Sequence, residues 1–184
     1  MTSKNSANAQ LLPLHNFKKI MLIGCPGSGK TTLARQLHDA LKIPLHHLDN
    51  IMWQSGWQKK SPSWTLRYHK KLCVTPSWII DGNHIPTLAE RCQQADLIIF
   101  FSMPRWRCMI RIFNRWLLFR KQQRIDLAPG CFDELNHNYL DYAWHFHKRY
   151  QPILKSCIEQ SSAHIMELRS ADTLTTMMHA LQLM

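Results

Sequence analysis

One octapeptide limits what this chain can become more than any other stretch. Gly24-Cys-Pro-Gly-Ser-Gly29-Lys30-Thr31 satisfies the pattern GxxxxGK[ST] completely. It follows an apolar run, Lys19-Ile-Met-Leu-Ile-Gly24, and leads into a helical pattern that lasts to about Leu41. A strand, a curled glycine loop and a helix in that order form an anion cradle. The glycines let several N–H groups turn inward, and the helix N-terminus adds its positive end. In this reading Gly24, Cys25, Pro26, Gly27, Ser28, Gly29, Lys30, Thr31 and Thr32 form the segment that contacts a nucleoside triphosphate. Lys30 reaches the terminal phosphates and the Thr31 hydroxyl binds Mg²⁺. The bland alternative, an ordinary glycine turn, does not explain the Lys-Thr pair or the flanking strand and helix.

The remaining chain repeats the alternation. Further strands are expected at 44–49, 77–81, 97–101 and 164–168. Helices are expected at about 62–74, 86–95, 104–120, 137–158 and 171–182. Apolar strands separated by helices predict an α/β fold with a parallel sheet. Residues 1–16 are polar and aperiodic, so they are expected to be a flexible extension of a single domain covering 17–184.

The 184 residues suit one domain with a substantial core. A net charge of +11 points to polyanionic partners: nucleotide phosphates, nucleic acid or an anionic membrane surface. None of the six cysteines forms a CxxC pair, so a zinc cage is not expected. The N-terminus has no apolar signal stretch and no window is long and apolar enough to span a bilayer. A cytoplasmic protein with reduced thiols and no membrane partner is the expectation.

Magnesium chemistry needs a carboxylate at the sheet edge beside the loop. Asp81, closing Trp78-Ile-Ile-Asp81, meets that need, although Asp also starts Asp-Gly turns. Asp49 closes the second apolar segment. It can orient an acceptor hydroxyl and take its proton, or it can cap the next helical turn. Arg107, Arg111 and Arg115 recur at four-residue intervals on one helix face, within a run that also holds Arg105, Arg120, Lys121 and Arg124. Trp106, Ile110, Phe113 and Leu117 are expected to pack inward beside them. Such arginines stabilise charge on a transferring phosphoryl group; the alternatives are a solvated face or pairing with carboxylates from elsewhere. The polar stretch 121–130 reads as a flap that closes over nucleotide and excludes water. Trp53, Trp57 and Trp64 either line an acceptor pocket or sit in the core. His145 and His147 point to different sides of a helix and share no metal. Arg169 either stacks on a base or stays on the surface. Cys25, within the loop, is expected to have its pKa lowered by helix-end N–H groups.

With these residues in view, the sequence resembles the adenylate-kinase-like P-loop proteins. It is more closely similar to the bacterial family labelled "DNA topology modulation protein" (FlaR-like). The carriers are GCPGSGKTTLA (24–34), HLDNIMW (47–53), WIIDGNH (78–84), the Pro104-Arg-Trp-Arg-Cys run and ELRS (167–170), covering about Lys18 to Arg169. The resemblance implies a three-layer P-loop fold with a five-stranded parallel sheet of order 2-3-1-4-5, a helical lid at about 118–136, and ATP as donor. By position, Lys30 and Thr31 match the loop and Asp81 matches the acidic residue after the third strand. Arg111, Arg115 and Arg120 correspond loosely to lid arginines. Asn83-His84-Ile85 replaces the Phe-Pro-Arg run of adenylate kinases, and Asn50-Ile-Met-Trp-Gln replaces their monophosphate segment. The acceptor is therefore left open.

Three readings follow. The first is a kinase moving the ATP γ-phosphate to a small-molecule or nucleotide acceptor, with Lys30, Asp49, Asp81, Arg111 and Arg115 as catalytic residues. Arg120 and Arg169 would add nucleotide contacts, and Thr31 with Asp81 would hold the metal. The second is a nucleotide-switched DNA-binding regulator, with weak nucleic-acid binding. The third is a polynucleotide 5′-hydroxyl kinase.

Overall fold

The structure is a computed structural model that describes residues 14–170 and residue 175. The expected helix at 171–182 and the extension before Leu14 lie outside the described residues. Leu14–Asn16 form a 3-10 turn, with Leu14 buried.

Strand β1 (Lys19–Gly24) leads through the glycine loop into α1 (Lys30–Leu41) and β2 (Leu45–His47). A short helix α2 (Leu48–Met52) and a two-stranded ribbon, β3 (Trp53–Gln54) and β4 (Gln58–Lys59), precede α3 (Pro62–Cys73). The chain continues through β5 (Trp78–Asp81), α4 (Leu88–Gln94), β6 (Leu97–Phe101), α5 (Arg105–Phe119), α6 (His137–Arg149), α7 (Gln151–Glu159) and β7 (His164–Leu168). The main sheet runs β2-β5-β1-β6-β7 with every pairing parallel. Counted along the chain without the small ribbon, that order is 2-3-1-4-5.

Burial explains the sheet. Ile20, Met21, Leu22 and Ile23 are fully buried, as are Trp78, Ile79 and Ile80 beside them and Leu97, Ile98 and Ile99 on the other flank. A strand that is apolar on both faces must be covered on both. Helix α1 packs on β1, β2 and β5, whereas α4 and α7 pack on each other and on β1, with α3 against α4. Right-handed crossovers place these two groups on opposite faces, giving three layers.

Four local expectations need correction. The helix at 137–158 is two helices, because Pro152 has no N–H for the ladder and sits in the first turn of α7 after Tyr150 ends α6. Asp49 belongs to α2 rather than to β2. The segment after α5 has no helix; residues 120–136 form a loop with an isolated bridge between Gln123 and Phe132. Pro129 and Gly130 break any periodicity there, and Gln123 Nε2 donates to the carbonyls of Ala128 and Cys131. Finally, α5 is turned over: Trp106, Ile110, Phe113 and Leu117 face outward, while Cys108 and Ile112 are buried. On that inner side Arg111 reaches the Ser28 carbonyl and Arg115 reaches Asp133 and Tyr139.

The flap is seated. Leu127, Ala128 and Cys131 form a small second core with Trp53 and Trp57. Cys131 Sγ donates to Gln54 O at 3.1 Å, and the Gly56 N–H reaches Gly130 O at 3.3 Å.

Candidate active site

The glycine loop closes the carboxyl end of β1, and two of its glycines have no substitute. Gly24 has φ +134°, and a Cβ there would lie 2.3 Å from the Phe101 carbonyl oxygen. At Gly27 (φ +74°) a Cβ would lie 2.6 Å from Cys108 O. The loop is therefore moulded against β6 and α5. Asn83, after β5, fixes its start: the Gly24 N–H donates to Asn83 Oδ1, and Asn83 Nδ2 donates to Gly24 O, both at 2.8 Å. Lys30 Nζ lies along the loop and donates to Gly24 O at 3.0 Å and Cys25 O at 2.7 Å. Burial lowers the Lys30 pKa, with Asp81 opposing that shift.

Thr31 Oγ1 donates to Asp81 Oδ2 at 2.7 Å, joining the first turn of α1 to the end of β5. The same oxygen lies 3.1 Å from His47 Nδ1, because β2 pairs His47 directly with Asp81. A hydroxyl and a carboxylate beside a phosphate loop are hard oxygen donors. Mg²⁺ takes one or two such protein groups and fills its octahedron with phosphate oxygens and water. Thr31 and Asp81 fit that role.

These groups open on a cavity of about 1730 Å³. Pro26, Gly27, Gly29, Lys30, Thr31 and Thr32 line it, while Gly24, Cys25 and Ser28 are buried behind it. Asp49 lines it too, its side chain open to the cavity but enclosed by protein. That desolvation, then the charges of Asp81 and Asp126, push its pKa up to about 6. Trp53 and Trp57 serve both the small core and the cavity wall; Trp64 stacks instead on Tyr68.

The arginines divide by role. Arg111 Nη1 donates to the Ser28 carbonyl at 3.1 Å, so its guanidinium reaches the loop. Arg115 grips Asp133 with two bonds, Nε at 2.8 Å and Nη2 at 3.2 Å, and also donates to Tyr139. Burial opposes its charge, but Tyr139 and Asp133 hold its pKa above the ordinary arginine value. Arg124 joins the same Asp133 at 2.9 Å and pairs with Asp126. Of the three arginines on the Arg107, Arg111 and Arg115 face, only Arg115 meets a carboxylate from elsewhere among the described residues, Asp133 in the loop after α5. Arg107 lies over Trp106, and Arg105 over Trp144. Arg120 lies over Trp116 beside a shallow groove, and Arg169 pairs with Glu167; neither lines the cavity.

Cys25 departs from expectation. A hydrogen bond with Cys108 and burial raise its pKa instead of lowering it. All six cysteines are free.

Several site residues were not legible in the sequence. His47 and Asn83 act through sheet register and a loop crossing, which no local pattern announces. Asp126 and Asp133 are scattered acids in a polar stretch. Arg91, fully buried on α4, donates to the carbonyls of Gly82 at 2.9 Å and His84 at 3.0 Å, so it holds the Asn83 turn from beneath. A lone arginine in an otherwise apolar helical segment is a weak signal for such a prop.

No protein-family model matches the chain, and neither does any curated protein. Solved structures do resemble it. Shikimate kinase from Acinetobacter baumannii, in complex with shikimate, shares 18% identity with a TM-score of 0.58, covering 92% of this chain and 94% of that one. Shikimate kinase from Aquifex aeolicus shares 14% identity over 89% of this chain and 94% of that one, TM-score 0.47. Deoxyadenosine kinase from M. mycoides, with bound dCTP, shares 12% over 90% and 99%, TM-score 0.46. The first of these likenesses establishes the fold: an α/β P-loop kinase fold with a five-stranded parallel sheet.

Proposed function

We propose that this chain is an ATP-dependent, Mg²⁺-requiring phosphotransferase that moves the γ-phosphate to a small-molecule or nucleotide acceptor bearing a hydroxyl or phosphate. The observation that carries the reading is one cavity bordered by Lys30, the Thr31–Asp81 pair, Arg111 and Asp49. Phosphoryl transfer asks the protein for position and charge rather than for a strong nucleophile. Lys30 and the loop N–H groups receive the phosphates. Thr31 and Asp81 would hold Mg²⁺, which would supply charge neutralisation for the phosphates. Arg111 stabilises the transferring group, and Asp49 orients the acceptor and accepts its proton. A carboxylate titrating near 6 is mostly ionised at neutral pH yet basic enough to take that proton.

Arg115 is supporting rather than catalytic in this reading, because Asp133 engages its guanidinium. The acceptor binds on the wall contributed by α2 and the ribbon. The sequence resemblance to the FlaR-like family is compatible with this chemistry, since that label names no reaction. A nucleotide-switched DNA regulator is less well supported, because Arg111, Arg115 and Arg124 are engaged around the cavity.

The test is ADP release from Mg·ATP across nucleosides, nucleoside monophosphates, sugars, hydroxy-acids and 5′-hydroxyl DNA, with Lys30→Ala as control. A rate rise specific to one acceptor, abolished by Lys30→Ala without unfolding, is the expected result. Slow ADP release that ignores every acceptor refutes the assignment.

A further inference from the structure

Helix α5 shows the cavity one face and solvent a quite different one. Trp106, Ile110, Phe113 and Leu117 follow helical spacing along the outer face, 55%, 53%, 48% and 47% exposed, and Leu118 beside them is 69% exposed. Trp144, from the adjacent α6, continues the apolar surface. An apolar row of this kind, about 18 Å long at 1.5 Å per residue, is costly to leave in water and marks an interaction surface.

Its charge identifies the partner. No Asp or Glu occurs between Arg105 and Ile125. Arg105 lies 4.5 Å over the Trp144 ring, Arg107 5.1 Å over Trp106, and Arg120 5.3 Å over Trp116. Among the described residues none of these three forms an ion pair with a carboxylate, whereas Arg111 and Arg115 turn inward. The outer face is therefore an apolar stripe edged by arginines and tryptophans. We propose that this face docks on an anionic lipid surface, with the helix lying in the headgroup plane. The aliphatic and aromatic side chains would enter the acyl boundary, the indoles would sit at the interface, and the guanidiniums would meet lipid phosphates.

Other occupants fit less well. Trp106, Phe113 and Trp144 could stack on bases, but Ile110, Leu117 and Leu118 between them offer neither a stacking face nor a hydrogen bond, so the row suits acyl chains better than nucleic acid. A second copy would bring two copies of α5, which carries arginines and no acid, face to face and oppose like charges. The expectation of no membrane partner rests on the lack of a spanning segment. Among the described residues no helix is long and apolar enough to cross a bilayer, but a helix lying on the surface needs no such length.

The experiment is co-sedimentation of the full chain with vesicles of phosphatidylcholine alone or phosphatidylcholine containing phosphatidylglycerol, with tryptophan emission followed in parallel. Ile110→Glu/Phe113→Glu and Arg105→Gln/Arg107→Gln are the variants, checked by thermal melting. Ile110, Phe113 and Arg105 are exposed, Arg107 is half-buried, and none of the four lines the cavity, so nucleotide binding should be unchanged. At least about tenfold tighter binding to the anionic vesicles is expected, with a blue-shifted emission. The Glu pair should abolish binding, and the Gln pair should remove the preference for anionic lipid. Equal or absent binding to the two vesicle types overturns the proposal. So does retention of binding by the Glu pair. It is likewise overturned if light scattering shows a dimer, or titration shows a single-stranded oligonucleotide complex, that the Glu pair specifically dissolves.

Discussion

Asn83→Ala isolates the clamp on the first loop glycine. In the wild type the buried Gly24 N–H donates to Asn83 Oδ1, and Asn83 Nδ2 returns a bond to the Gly24 carbonyl. Alanine strands the donor, at about 1–3 kcal/mol, and removes a neutral bond worth about 0.5–1.5 kcal/mol. Lys30 Nζ still serves the Gly24 carbonyl at 3.0 Å, so the second loss falls at the low end. The sum is about 1.5–3.5 kcal/mol. For a chain of this size each kcal/mol moves the melting temperature by about 2–4 °C, so a fall of about 3–14 °C is expected. Tyr142→Phe is the control. It removes only the 3.3 Å contact from Asn83 Nδ2 and should cost less than about 1 kcal/mol. Loop geometry also governs phosphate binding, so the Kd for a fluorescent ATP analogue should rise at least about tenfold in Asn83→Ala. If Asn83→Ala melts with the wild type and binds the analogue equally well, the clamp argument fails.

Two further outcomes follow from the site. If Asp49 acts as base with a pKa of about 6, its ionised fraction falls about tenfold between pH 7 and pH 5. kcat/KM for the acceptor should fall with it, and Asp49→Asn should lose both the turnover and the acid limb; a wild-type profile flat to pH 5 contradicts the role. Asp133→Asn leaves Arg115 and Arg124 without their shared carboxylate, costing about 3 kcal/mol, and should expose 120–136 to limited proteolysis. Unchanged cleavage there would show that the small Trp53–Trp57 core, not the ion pairs, holds the flap.

What could be read from the sequence depended on how local the cause was. The loop, the flanking strand and Asp81 were legible because one short segment carries both the pattern and the reason for it. The five main strands were legible because burial on both faces leaves continuous apolar runs. The outer face of α5 was not. Its apolar stripe predicts inward packing, whereas Cys108 and Ile112 pack inward instead and Ser28 and Asp133 on that side take Arg111 and Arg115. Asp49 was assigned to the end of a strand because HHLD reads as extended, whereas β2 stops at His47. The Arg91 prop and the His47–Asp81 contact depend on elements far apart in the chain, so no window contains both halves.

The strand order has a consequence for how such a chain diversifies. Strands β2 and β5 lie on one side of β1, and β6 and β7 on the other. The wall assigned to the acceptor is thus a contiguous insert between His47 and Trp78, bounded by strands that pair in the same sheet. Recombination across those two boundaries could exchange recognition as a cassette, leaving the phosphate machinery on the other side of the cut unchanged.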